Sequence, residues 1–193
     1  MHLKKMTLAV IACLTVWMAA AQSDTISVQP VKPVFHALTQ VGILEGERET
    51  KMQLQWINGL QYKTWFGGIG VGLDYYFQRS IPLFADIRKD LSKKVPLFIY
   101  GDLGVHFPWI KKAAESGWME TEYKNGLFYE AGLGYRAQVN ARNAIVVSAG
   151  YSEKALAELR KEPYIWGPPN MPQRVNRFDY RLKRISIKAG FQF

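Results

Sequence analysis

Beyond the N-terminal segment, the residues whose types could support nucleophilic chemistry are His36, His106, Ser152 and Glu153. A histidine beside a hydroxyl, oriented by an acid, is the set that deprotonates serine for attack on an acyl group. His106 falls near the end of one alternating segment, and Ser152 and Glu153 at the same end of another, so the three could meet within about 3 Å. The competing reading is a histidine that caps polar strand ends, and the expectation is that no residue is catalytic. No metal or cofactor is expected either. The single Cys13 excludes a zinc site built on paired cysteines, and no His, Cys and carboxylate residues cluster. The glycine-rich run 67–72 alternates along a strand without the helix that a phosphate loop requires.

The elements that would position such groups follow from the rest of the chain. Its 193 residues are 48% hydrophobic, 13% aromatic and only 21% charged, one domain's worth of chain with too much apolar surface for a disordered protein. Lys4 and Lys5 precede an uncharged run, 6–21, ending in Ala19-Ala20-Ala21, the pattern of a secretory signal peptide cleaved before Gln22. The run is short of the ~20 apolar residues of a membrane-spanning helix. Val10-Ile11-Ala12-Cys13 also resembles a lipoprotein box, although the apolar run continues past Cys13. Residues 22–34 read as a Pro-containing periplasmic tail. The net charge of +9 comes with no basic helix, zinc-finger spacing or RNA-binding aromatic signature. It is read as a rim facing anionic lipid headgroups, with no nucleic-acid partner.

From residue 35 onward the chain alternates apolar with polar or small residues in eight segments: 36–44, 51–62, 65–78, 81–91, 96–107, 127–139, 144–151 and 178–193. In 65–78, Trp65, Gly67, Ile69, Val71, Leu73, Tyr75 and Phe77 share one face and Gly68, Gly70, Gly72, Asp74 and Tyr76 the other. The last segment changes phase, from Phe178, Tyr180 and Leu182 to Ile185, Ile187 and Ala189, which predicts a bulge near Lys183-Arg184. Tight connections, 63–64, 92–94 and 140–143, alternate with those at 45–50, 78–80, 108–126 and 152–177, which are longer apart from the brief 78–80. Together these features predict an all-β, eight-stranded antiparallel up-and-down transmembrane barrel with both termini on the periplasmic side.

The face opposite the apolar one carries many glycines and Asp74, Asp86, Asp90, Asp102 and Glu130 against Arg88, Arg136, Arg184 and Lys188. Small side chains and balanced charge suit the interior of a narrow barrel, which has room only for side chains, so a polar network filling the lumen is expected. Trp65, Tyr62 and Phe193 would sit in an aromatic girdle at the periplasmic edge. Tyr75, Phe77, Phe107, Trp109, Tyr129, Tyr151 and Tyr180 would form the outer one.

The final strand, Ile185-Ser186-Ile187-Lys188-Ala189-Gly190-Phe191-Gln192-Phe193, resembles the C-terminal insertion signal of outer-membrane barrels. The chain from residue 35 resembles the small outer-membrane β-barrel domain family common in Bacteroidota, related in shape to OmpA and OmpX barrels. The resemblance rests on Gly67-Gly68-Ile69-Gly70-Val71-Gly72-Leu73-Asp74-Tyr75-Tyr76, on Arg79 to Arg88 and on Tyr100-Gly101-Asp102-Leu103-Gly104. It implies outer-membrane lipid as surroundings and the barrel-assembly machinery as the reader of Phe191 and Phe193. The expected function is non-enzymatic, a surface interaction with an extracellular or envelope partner through loops 108–126 and 152–177. The second of these loops holds the aromatics of 164–172. Two alternatives are a lipid- or lipopolysaccharide-modifying enzyme, since some barrels of this size carry a Ser/His/acid set, and a soluble periplasmic barrel with an apolar lumen.

Overall fold

The computed structural model describes residues 32–47, 49–92, 95–110, 112–115, 119–140, 142–162 and 174–193. The expected signal peptide, nearly all of the tail and the segment 164–172 lie outside them.

Ten strands form: β1 (Val34–Glu45), β2 (Thr50–Tyr62), β3 (Trp65–Asp74), β4 (Ser80–Asp90), β5 (Leu97–Pro108), β6 (Lys112–Glu115), β7 (Met119–Lys124), β8 (Gly126–Gln138), β9 (Ala144–Glu162) and β10 (Arg174–Gln192). The sheet runs β10-β1-β2-β3-β4-β5-β8-β9 and closes through a β9–β10 ladder, making an eight-stranded antiparallel barrel with β7 and β6 added beside upper β9. The β1–β10 seam runs from Leu38↔Gln192 to Glu45↔Ile185.

The two faces have opposite chemistry to those of a soluble barrel. Along β2, Met52, Leu54 and Trp56 are exposed while Gln53, Gln55 and Ile57 are buried. Ile69, Leu83, Leu103, Leu133, Val147 and Ile187 continue the exposed apolar belt around the other strands. An outward apolar belt is stable against hydrocarbon and unstable against water, so the barrel is of the transmembrane type.

Three expectations need correction. The first concerns the ends of the strands. Residues 152–162 and 174–177 of the expected loop 152–177 are strand, because β9 and β10 each run 19 residues, against the ~9–11 that cross a bilayer; 163–173 lie outside the described residues. Loop 108–126 likewise contains β6 and β7, and β7 pairs with β9 from Glu120↔Lys161 to Lys124↔Ala157. In contrast β3 stops at Asp74, so 75–79 is connection rather than strand.

The second concerns the bulge. The β9–β10 register is continuous from Arg174↔Glu162 to Gln192↔Ala144, with Arg184 opposite Ser152. The sequence changes phase at 183–184 because the surroundings of the outward face change there from lipid to water, while the backbone continues. The interrupted ladder is elsewhere. β8 pairs Phe128 with Lys154, whereas β7 pairs Lys124 with Ala157, so the β7–β8 side carries one extra residue around Asn125.

The third concerns the lumen, which is not only small and polar. Leu38, Ile57, Phe66, Phe84, Phe98, Tyr100, Phe128 and Val146 form a buried cluster, with Phe84 edge-on to Phe128 at 5.5 Å between ring centroids. The inward glycines make room for these rings. A Cβ on Gly70 would strike the Phe84 ring and one on Gly134 the Phe98 ring.

Candidate functional site

The lumen holds three tiers of polar groups, named here from the turn end upward. At the turn end Arg136 donates to both oxygens of Asp90, at 2.9 and 3.1 Å, and Gln61 adds a bond to the same carboxylate at 3.2 Å. Asp90 and Arg136 border a cavity of about 270 Å3 shared with Ser92, Val95, Pro96, Leu97 and Gln138.

In the middle tier β4, β5 and β8 place Asp86, Asp102 and Glu130 side by side in register. Arg88 binds Asp86 through Nε and Nη2 at 2.8 to 3.0 Å and reaches Gln40 at 3.2 Å. Its guanidinium also lies 5.4 Å from the Phe98 ring and 5.7 Å from the Tyr100 ring. Lys188 lies 2.7 Å from Glu130 and 3.7 Å from Asp102 and donates to Gln55 at 3.1 Å. Tyr100 donates its hydroxyl to Glu130 at 2.7 Å. Buried charges persist here because each cation faces carboxylates and hydrogen-bond partners.

The upper tier turns on a residue the sequence reading missed. Lys154, almost wholly buried, donates to Asp74 at 2.5 Å and to Ser80 at 2.9 Å, and Ser80 donates to Asp74 at 2.7 Å. It was hidden by ending the strand at Tyr151. The inward alternation Ser148, Gly150, Ser152, Lys154 was the signal that would have found it. Above it, Leu156 and Leu182 join Tyr76 and His106 around a cavity of about 10 Å3, so these two leucines cap the lumen.

Of the expected network, Asp74, Asp86, Arg88, Asp102 and Glu130 therefore lie inside the barrel and Arg136 at its turn-end mouth. Arg184 acts differently. It donates to the backbone oxygens of Leu44, Glu49 and Tyr76 at 3.3, 2.6 and 2.6 Å, clasping two connections across the loop-end mouth.

Among the girdle residues, Trp65, Tyr75, Phe107 and Trp109 are exposed on the outside. Tyr129 donates to Glu153 at 2.6 Å and Tyr151 donates to the same carboxylate at 3.0 Å. Tyr180 departs from the expected girdle: it shares the inward side of β10 with Leu182 and Arg184 and stacks on Phe77 at 6.2 Å. Phe191 and Phe193 are exposed and stacked at 6.3 Å. Phe193 exchanges backbone bonds with Ala37 at 2.8 and 2.9 Å.

The candidate nucleophilic set does not assemble. Successive strand residues alternate faces, so Ser152 points into the lumen and Glu153 points out to its two tyrosines. The ring of His106 donates from Nε2 to the carbonyl of Ala155 at 2.6 Å, at the interrupted ladder beside Gly126. A Cβ at Gly126 would close that approach. His36 lies at the opposite end of the barrel, paired with Gly59.

No family model and no curated protein matches the chain. Several solved structures are similar in shape. Neisserial surface protein A has 11% identity and a TM-score of 0.45, covering 83% of this chain and 97% of its own. The outer membrane protein AlkL, determined in lipid bilayers, has 10% identity and a TM-score of 0.49 over 89% of this chain and 95% of its own. A de novo designed transmembrane barrel has 11% identity and a TM-score of 0.45 over 87% of this chain and 98% of its own. At these scores the superpositions are loose, and the barrel type follows from this chain's own register and its two faces.

Proposed function

We propose that the protein is a non-enzymatic outer-membrane barrel of the Bacteroidota type. It is exported by its N-terminal signal peptide and inserted by assembly machinery that reads Phe191 and Phe193. Its working surface is the sheet of β6, β7 and upper β9 and β10, which meets an extracellular or envelope partner. The observation that carries this reading is a lumen filled by Phe84, Phe98, Arg88 and Lys188 beneath a hairpin that continues past the apolar belt. The excess of about eight residues per strand amounts to roughly 27 Å of chain, enough to stand clear of the headgroups. A filled lumen leaves the projection as the part able to meet a partner. Catalysis through His106, Ser152 and Glu153 has no geometry to support it.

The test pairs two measurements. A cysteine at Asp179, in a Cys13→Ser background, is treated with a membrane-impermeant maleimide on intact cells, and the purified barrel is assayed for conductance in planar bilayers. Labelling at Asp179 but not at a cysteine placed at Lys63, with no steady current, supports the reading. Labelling of Asp179 only after lysis, or a steady channel, contradicts it.

A further inference from the structure

Arg79 lies in the connection between β3 and β4, exposed on the outside of the barrel where the apolar belt gives way to the loops. Its guanidinium carbon is 5.4 Å from the Tyr75 ring and 5.3 Å from the Trp109 ring. The Trp109 amide donates to the Arg79 carbonyl at 3.0 Å, which fixes the two segments together. Lys51, on the groove beside it, is paired with Glu49 at 2.6 Å. Among the described residues Arg79 forms no ion pair with a carboxylate. A guanidinium held over aromatic rings with no carboxylate partner still has N–H groups to donate to two oxygens of a phosphate.

Beside it, and sharing Tyr75, runs a groove of about 360 Å3 lined by Thr50, Lys51, Met52, Tyr75, Phe77 and Gln78. Its floor is apolar and faces the region where acyl chains meet headgroups.

We propose that Arg79, oriented by Tyr75 and Trp109, is the phosphate contact of a binding site for an anionic membrane lipid that carries a phosphomonoester, whose acyl chain lies along Met52 and Phe77. This rests on the reading of the chain as a membrane barrel. The opposite rim supplies a control. There Lys89 sits 4.7 Å over the Trp65 ring as a point charge.

The full chain, folded in zwitterionic detergent, is offered phosphatidic acid or phosphatidylcholine, and bound lipid is counted by native mass spectrometry. The site predicts preferential retention of phosphatidic acid, lowered about tenfold by Arg79→Gln, partly restored by Arg79→Lys and unchanged by Lys89→Gln. Equal retention by Arg79→Gln, when that variant still changes mobility on boiling as the parent does, overturns the site. So does displacement of the lipid by equimolar inorganic phosphate, which would make the ligand a free anion. A parent chain that neither inserts into vesicles nor changes mobility on boiling refutes the membrane reading itself, a separate failure.

Discussion

On β10, residues 185–192 turn Ile185, Ile187 and Phe191 outward and Ser186, Lys188 and Gln192 inward. Residues 177–183 of the same strand turn Arg177, Asp179, Arg181 and Lys183 outward, and place Phe178, Tyr180 and Leu182 on the inward side. The ladder to β9 does not change between them. Side chains on one strand therefore follow the solvent each face meets. In the lower half the outward face meets hydrocarbon and the inner face must satisfy its own charges, as Arg88 and Asp86 do. In the upper half the outward face of β10 meets water, and its inner side can carry Tyr180 and Leu182 because Leu182 covers the lumen's mouth.

The largest way to break this contrast is to remove a buried partner below. Arg88→Met leaves Asp86 buried without its cation and is expected to cost about 3–5 kcal/mol, read as a lower urea midpoint of the band that shifts on boiling. Its upper counterpart, Arg177→Met, removes an exposed pair and leaves that midpoint unmoved. Next comes charge on the outward face. Val147→Arg, opposite Ala189 in the belt, is expected to cost roughly 2–4 kcal/mol, whereas Val175→Arg on the projection leaves stability unchanged within about 0.5 kcal/mol. A smaller effect marks the join between the halves. His106→Phe strips the donor from the Ala155 carbonyl and should cost about 1–3 kcal/mol, with faster amide exchange in β7. Smallest of all, replacing residues 157–179 by a two-residue turn should keep the gel shift, because that sheet adds nothing to closure of the barrel.

The sequence made the barrel half of this picture legible because period-two alternation survives wherever one face meets lipid. Strand number, the tight turns and the inward positions of Asp74, Asp86, Asp102 and Glu130 were all readable from it. The projection was not, for a physical reason. Above the belt both faces of β9 are mixed, Ala155, Leu156, Ala157 and Glu158 in succession, so strand looks like loop and the strand was ended at Tyr151. The phase change at 183–184 is plain in the sequence, but a backbone bulge and a change of solvent leave the same pattern there. The aromatic filling is hidden because Gly70 makes room for Phe84, and Gly134 for Phe98, as cross-strand neighbours, which spacing along the chain does not reveal. Arg184 was read as a lumen charge because its face was known and its height was not.

A single strand passes from lipid to water without a break, and nitroxide scanning of β10 in bilayers measures this directly. Labels at 177 through 192 are compared for relaxation by oxygen, which concentrates in hydrocarbon, and by a water-soluble nickel chelate. Odd positions 185–191 are expected to respond to oxygen and odd positions 177–183 to nickel, with even positions less accessible to both throughout. If the accessible positions change from odd to even across 183–184, the strand is bulged there and the solvent explanation of its phase is wrong.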